Sequence, residues 1–528
     1  MNVYLIGMVL SMIVYIIVGI LVSRKVKSID DYYVAGRRAP VVLIAGSLIA
    51  SYIGTGMFTG DAEMYYLGTF SPIFVSGVIT LSGYFLGAVF FGRYLRRMNV
   101  VTIPEYFGKR FNSNAMKVLA SVVSIVTMTV YMISVLQGIG TLMSGVTGLD
   151  YTLCMVLAMI VFTFIAVVSG SSGVLITDTM MAALFTLMTV IGCFVITHKA
   201  GGWYGAIETL TKAPETKDFF AWMGTSGLIF GSPLENLVWT VTIGMTWMGV
   251  TMVSPWQTSR YLMAKDEATV IRSAVPAAIG VFIVQFIVGI SAAFVHILNP
   301  AVDPSNQVMI WAAMNVMPTI VGVLTLTGVL AAGISSATTF LSQIGASVVN
   351  DLAGKNAKNP IRFGQIAMII VSIIVIVFNI TSPPSIYWIM VLGGSIIGSA
   401  WLPTALASVL SKRLTKTAAF WGMLLGFLSC FGIKIFTSTT GTSLPVYCEP
   451  CIVGIVVNIV VMLVVTAFTK VTPEEVQARE SMFVMPESEN TPEKKAAVYK
   501  AGKMAIATGV CICVITLLLW AVPYMRAL

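Results

Sequence analysis

The chain has 528 residues, of which 57% are apolar and only 10% charged, and its mean hydropathy is +0.92. An ordinary soluble domain carries roughly 25% charged residues, so the composition excludes a water-soluble globule and points to an integral membrane protein. The net charge of +9 does not imply nucleic acid, because membrane proteins collect Lys and Arg in their cytoplasmic loops.

The apolar runs are long enough for helices, about 20 residues each, and too long for the strands of a porin-like barrel. In chain order the pattern predicts fourteen spans, near 3–23, 40–58, 70–96, 114–146, 151–170, 173–197, 234–256, 268–297, 316–350, 362–381, 384–410, 417–437, 450–469 and 501–524. No small-residue cleavage site follows the first span, so it is expected to be retained rather than removed as a signal peptide. With the N-terminus outside, alternation puts Arg24 to Arg38, Arg93 to Lys117, Arg260 to Arg272, Lys355 to Arg362, Lys412 to Lys416 and Lys470 to Lys503 in cytoplasmic loops. Of the 31 basic residues, all but Lys199, Lys212, Lys217, Lys434 and Arg526 then lie inside. Both termini are therefore expected outside. No separate soluble domain is visible, and the charged, Pro-containing stretch near 470–500 reads as a mobile cytoplasmic linker.

Two spans look interrupted. The second contains ASYIGTGMFTG, with Gly54, Gly56 and Gly60, and the seventh contains TIGMTWMGVTMVSPW, with Gly244, Gly249 and Pro255. They stand five spans apart. Paired interruptions in corresponding halves point to a transporter's central site, since unwound backbone at membrane depth must line a cavity or be satisfied by protein. Close packing at the glycines is the alternative.

Asp178 lies in the sixth span, in GSSGVLITDTMMAALF. A carboxylate at the middle of a membrane helix costs about 2.5–3.5 kcal/mol on insertion scales. No Lys or Arg stands near enough in sequence to suggest a partner, so a cation from solution is the expected one; a wet position near the helix end is the alternative. Asp61 and Glu63 follow the broken second span and are expected near its outer end, hydrated or gating. The ninth span carries AAGISSATTF at 331–340. Ala332, Ser335, Ser336 and Thr339 share one helical face, and Ser335, Thr338 and Thr339 form an overlapping cluster. Oxygen ligands suit a hard cation, and neutral hydroxyls suit a monovalent one that must be released. Each hydroxyl could instead bond to its own helix.

Cys448 and Cys451 form a lone C-x-x-C, and the only histidines are His198 and His296. A disulfide and two free thiols are both open for the pair. Nothing resembles a catalytic constellation, and there is no P-loop for a nucleotide-driven pump.

Taken together, DDYYVAGRRAP (30–40), TIPEYFGKRF (102–111), ITD (176–178), SRYLMAKDEATVIR (259–272) and AAGISSATTF through VVNDL (331–352) make the chain resemble the sodium/solute symporter family. The likeness covers nearly the whole chain. Members of that family carry sugars, proline, sialic acid, pantothenate or small carboxylates. The resemblance implies an all-α membrane protein with the leucine-transporter-type five-plus-five inverted-repeat core. A leading helix and loop (1–39) would precede the first repeat (40–197) and the second (231–411), and three accessory helices (412–528) would follow. It implies a general sodium site made from the carbonyls of Ala50, Ile53 and Ala332 and the hydroxyls of Ser335 and Ser336. It further implies a second sodium site at Asp178, Thr338 and Thr339 that shares Ser335. Position on the core helices makes Tyr52, Thr55, Tyr84, Tyr131 and Trp247 the candidate solute-binding residues.

The chain also departs from the family. SGSSG precedes the T-D motif, Met181 follows it where Gln is common, and Gly56 and Met57 replace the polar residues of the sugar carriers. The TSPPSIYWIMVLGG region is loosely similar to pantothenate permeases. The expected activity is sodium-coupled import, by alternating access across the plasma membrane, of a small polar solute such as a carboxylate. One or two sodium ions would couple to it, with a monomer in lipid sufficient and no nucleic-acid partner. A proton-coupled carrier or passive uniporter of the same fold, or a membrane sensor, are the competing readings.

Overall fold

A computed structural model describes residues 3–23, 34–225, 232–353, 359–381, 385–442 and 444–528. Among them the chain is helical throughout; its only β pairing is an isolated parallel bridge between Ala39 and Ala264. Among the described residues, eleven helices are long and apolar enough to cross a membrane, and a bent pair makes a twelfth.

The chain opens with α1 (Val3–Ser23). The bent pair comes next: α2 (Val41–Tyr52) and α3 (Met57–Tyr66) meet at 51°. Next in order are α4 (Phe70–Arg97), the short α5 (Ile103–Arg110) and α6 (Asn114–Thr147). The spans expected at 151–170 and 173–197 form one helical element, α7 (Tyr151–Lys199). Its apolar stretches are Tyr151–Val167 and Leu175–Lys199. The expected division between them falls in 168–174, whose side chains lie outside the described residues.

The second interruption is confined to one residue and bends its span less than the first. Helix α8 (Pro233–Val253) ends at Ser254, which is extended (φ −60°, ψ 143°), and α9 (Pro255–Met263) begins at once. Pro255 has no amide to donate and disfavours helical backbone at the residue before it. The remaining core elements are α10 (Glu267–Leu298), α11 (Thr319–Ala353), α12 (Pro360–Thr381) and α13 (Ile386–Leu410). Helices α14 (Lys416–Thr440) and α15 (Pro450–Phe468) pack on each other at the edge, and α16 (Pro473–Ser481) and α17 (Pro492–Ala527) complete the chain. The central helices α10, α11 and α13 are mostly buried, whereas α14, α15 and α17 are mostly exposed, as apolar accessory helices facing lipid should be.

Local signals set many boundaries. Thr102, Ser113, Asp150, Ser232, Asp266 and Thr491 each accept a backbone amide in the first turn of the helix they cap. Gly148 closes α6 with φ +70°, a left-handed conformation that glycine adopts without strain.

The stretch 470–500 is not the mobile linker expected from its charge. Helix α16 starts with a complete capping box between Thr472 and Glu475. Arg479 donates to the Val409 carbonyl at 2.8 Å, and Arg97 donates to the Phe483 carbonyl at 3.2 Å. Glu489 accepts the Glu267 amide at 2.9 Å, and Lys494 pairs with Asp266 at 3.3 Å. The segment is docked onto the junction between α9 and α10. The same junction is held by the Ala39 bridge and by Arg96, which donates to the Ala264 and Lys265 carbonyls.

Candidate functional site

The break between α2 and α3 releases backbone groups. In an unbroken helix the Gly54 amide would close on Ala50; here it donates to the Tyr52 carbonyl at 2.9 Å. Ile53 keeps its own amide bond to Ile49 (2.9 Å), but its ψ of 81° turns the chain out of the helix. The stretch of α11 around Ser336 faces this break: a Cβ built on Gly54 would lie 3.8 Å from the Ser336 hydroxyl. Ala50, Ile53, Ala332, Ser335 and Ser336 are all at most 5% exposed. The five residues expected to bind sodium thus belong to two elements that pack against each other. Among the described residues, Ser336 makes no hydrogen bond, which leaves its oxygen uncommitted.

Asp178 has a partner that sequence distance concealed. Arg260, expected in a cytoplasmic loop, is 1% exposed in the interior on α9 and donates to the Asp178 carboxylate at 3.1 Å. It also donates to the Ser47 hydroxyl at 3.0 Å and the Thr339 hydroxyl at 3.3 Å. Ser47 and Ser335 both donate to Asp178. The expectation that Asp178 needs a cation from solution is therefore corrected: the chain supplies its own. Thr338, the remaining residue of the expected second sodium site, turns back to the carbonyls of Ile334 (2.8 Å) and Ser335 (3.1 Å). This polar network joins α2, α7, α9 and α11 through fully buried side chains. Arg110, also assigned to a loop by its charge, is likewise buried and donates to the Ser408 carbonyl at 2.7 Å.

A cavity with about 590 Å³ of atom-free space, part of it open to solvent, lies between the two broken helices. Of the five candidate solute residues, Tyr52, Tyr131 and Trp247 line it. Thr55 and Tyr84 do not: Thr55 donates to the Val135 carbonyl at 3.2 Å, and Tyr84 is wholly buried, edge-on to Tyr52 at 6.4 Å. Sequence reasoning missed Trp256, Tyr387, Gln257 and Gln285 on this wall, and it placed Asp61 too far out. Asp61 is 8% exposed and lines the cavity, whereas Glu63, two residues on, does not line it and is bound by Ser305. Gln257 and Gln285 bring two side-chain amides to the same wall as Trp247. Gln257 accepts from Ser51 at 3.2 Å and so ties the two broken helices together. Gln285 lies so close to Gly77 that a Cβ there would fall 1.6 Å from its amide nitrogen. A pairing of carboxylate and amide close to a helix break was the available signal, but it needs the fold to be read.

Cys448 and Cys451 are free thiols.

The sequence profile of the family described as "Sodium:solute symporter family" matches residues 32–426. The osmoregulated proline transporter OpuE of Bacillus subtilis is 24% identical, with 88% of this chain and 95% of that protein covered. The sodium/pantothenate symporter of Haemophilus influenzae is 22% identical over 81% of this chain and 92% of that one. Sodium/glucose cotransporter 1 of Ovis aries is 26% identical over 88% and 78%. Among solved structures, a sodium-coupled sialic acid symporter superposes with a TM-score of 0.72 at 16% identity, covering 89% of this chain and 99% of that one. At that identity the likeness shows the fold, which is the leucine-transporter type.

Proposed function

The chain belongs to the sodium:solute symporter family, and from that premise we propose how its two broken helices couple one sodium ion to the import of a small polar organic solute. It is a multi-pass membrane protein and a sodium-coupled transporter of a small solute rather than an enzyme. The observation that carries the coupling is the Gly54 break facing Ser336. Carbonyl oxygens of Ala50, Ile53 and Ala332 and the hydroxyls of Ser335 and Ser336 would hold the ion, an all-oxygen neutral set suited to a monovalent hard cation. Sodium would draw α2 against α11, order the cavity wall that begins at Ser51 and Tyr52, and close the outer path before the inner one opens. Helices α2 to α7 and α8 to α13 serve as the two five-helix repeats in this reading, in the plasma membrane with both termini outside.

The Asp178 network bears on stoichiometry. The Arg260 guanidinium already donates to both Asp178 and Thr339, which supports a reading of one sodium per cycle. One charge moving down 100 mV supplies about 2.3 kcal/mol, roughly a fiftyfold solute gradient, before any sodium gradient is added. The carboxylate solute expected from the likeness to pantothenate permeases gains no support from the cavity, which has no Lys or Arg on its wall. The test is purified protein in detergent, melted with and without NaCl against a choline-free, potassium-balanced control. Sodium is expected to raise the melting temperature of the wild type and to do so with a Hill coefficient near one. No sodium effect would sink the symport reading.

A further inference from the structure

We propose that the solute is a compact organic ammonium, held with its cationic head against Asp61 and between the aromatic rings of the cavity. This inference deepens the symport reading and rests on it. The cavity wall carries a single ionisable carboxylate, Asp61, and no basic side chain. Asp61 is only 8% exposed, and among the described residues it makes no hydrogen bond and no ion pair. Its oxygens are not sealed into protein either, since they are absent from the buried, partnerless polar atoms. An unpaired carboxylate taken out of water costs several kcal/mol. At Asp178 the chain offsets that cost with Arg260; at Asp61 it leaves a place for a cation that comes from outside.

The surroundings choose between kinds of cation. The Ser and Thr hydroxyls on the same wall give their protons to backbone carbonyls, which leaves none of them to donate to an anionic solute. Ser76 donates to Ile73 (2.7 Å), Thr80 to Ser76 (2.9 Å) and Thr251 to Met248 (2.9 Å). What remains is aromatic. Tyr131 packs at 5.1 Å from Trp256 and 6.2 Å from Trp247, and Tyr52 and Tyr387 complete the rings on the wall. A ring face attracts an alkylated ammonium through its quadrupole and tolerates its methyl groups, and Trp is the best such surface. One carboxylate amid aromatic rings is the arrangement that pairs charge with low hydration. Gln257 and Gln285 are left to orient a polar tail.

The test uses full-length protein in detergent and in proteoliposomes, with choline, trimethylammonium and putrescine as probes. The neutral carbon isostere of choline, 3,3-dimethylbutan-1-ol, and the anion pantothenate are the controls. In saturating NaCl, at least one ammonium is expected to raise the melting temperature by several degrees, with both controls inert at the same concentration. Asp61→Asn is expected to weaken that ammonium's binding at least tenfold, and Asp61→Glu to recover part of it. In proteoliposomes the imported ammonium is expected to carry one charge beyond the sodium ion for each positive charge it bears. Equal stabilisation by the neutral isostere, stabilisation by pantothenate instead, unchanged binding in Asp61→Asn, or silence from all three ammoniums would each overturn the inference. If sodium alone stabilises the wild type and no ammonium does, this inference fails while symport stands; if sodium itself has no effect, the failure belongs to the symport reading.

Discussion

Asp178 and Asp61 are both carboxylates carried into apolar protein by membrane helices, and they end in opposite circumstances. Asp178 is fully buried, accepts from Ser47 and Ser335, and faces Arg260 at 3.1 Å. Asp61 is nearly as buried, yet it faces a cavity and has no partner among the described residues. Burial alone therefore does not mark a ligand site. A buried charge whose partner is built into the chain is part of the scaffold, and here it clamps four helices around the hydroxyl-bearing segment of α11. A buried charge that lacks a partner and opens on a void is the one that can discriminate among solutes.

The largest expected effect would break this contrast at its paired member. Arg260→Met leaves the Asp178 carboxylate buried and unpaired, and removing one partner of such a pair destabilises by about 3–5 kcal/mol. Melting curves should show a large drop, and the double variant Asp178→Asn with Arg260→Met should recover most of it. A single variant as stable as the wild type would mean that Asp178 is not held as a charge by Arg260. The double variant also sharpens the stoichiometry, because its sodium Hill coefficient should stay near one. Next in size is Gly77→Ala. Its new methyl would collide with Gln285, and overpacking of this kind costs about 1–3 kcal/mol. Solute affinity should fall with it, read as a raised KM, because Gln285 must move along the cavity wall. Smaller again is Ser336→Ala, expected to weaken sodium binding about tenfold, or about 1.4 kcal/mol, with the fold intact. Unchanged sodium affinity by titrated thermal shift would remove Ser336 from the site.

The sequence displayed the helices and the breaks because both follow from local chemistry. Apolar runs of the right length declare spans, Pro255 declares the interruption at Ser254, and Gly54 declares the other. The hydroxyl face of 331–340 was visible for the same reason, as spacing along one helix. Partnership was not visible. Asp178 and Arg260 lie 82 residues apart, and a charge count that assigns each Arg to the nearest loop gives a buried Arg and a loop Arg the same weight. Arg110 is buried as well, but on α5, in the connection between the spans α4 and α6 where the charge count put it. Thr55 and Tyr84 sit on the right helices but the wrong faces, a distinction that depends on where each break rotates the chain. The segment 470–500 has the composition of a solvated linker, and only its distant anchors at 97, 266, 267 and 409 make it ordered.

Those anchors carry the smallest of the expected effects. Lys494 is a third exposed, so its pair with Asp266 at 3.3 Å is worth about 0.2–1 kcal/mol and weakens in salt. Burial pushes the Asp266 carboxyl up, but the hydroxyl and amide of Thr269 and the Lys494 ammonium outweigh it and hold the group below its usual range. A carboxylate whose folded value is depressed adds stability that is complete above its unfolded value, near 3.9, and lost only as pH falls through the folded value. The anchor is therefore indifferent to pH between 5 and 8. Lys494→Ala should leave the melting temperature within a few degrees of the wild type while speeding limited proteolysis within 470–500, and raised salt should mimic it. Arg97, by contrast, grips Glu267 with two bonds at 2.7 and 3.0 Å, both side chains less than a tenth exposed, and should resist the same salt. If Lys494→Ala and the wild type were cut at equal rates at low salt, the docking of 470–500 would rest on Glu489 with the Glu267 amide and Arg479 with the Val409 carbonyl rather than on the exposed pair.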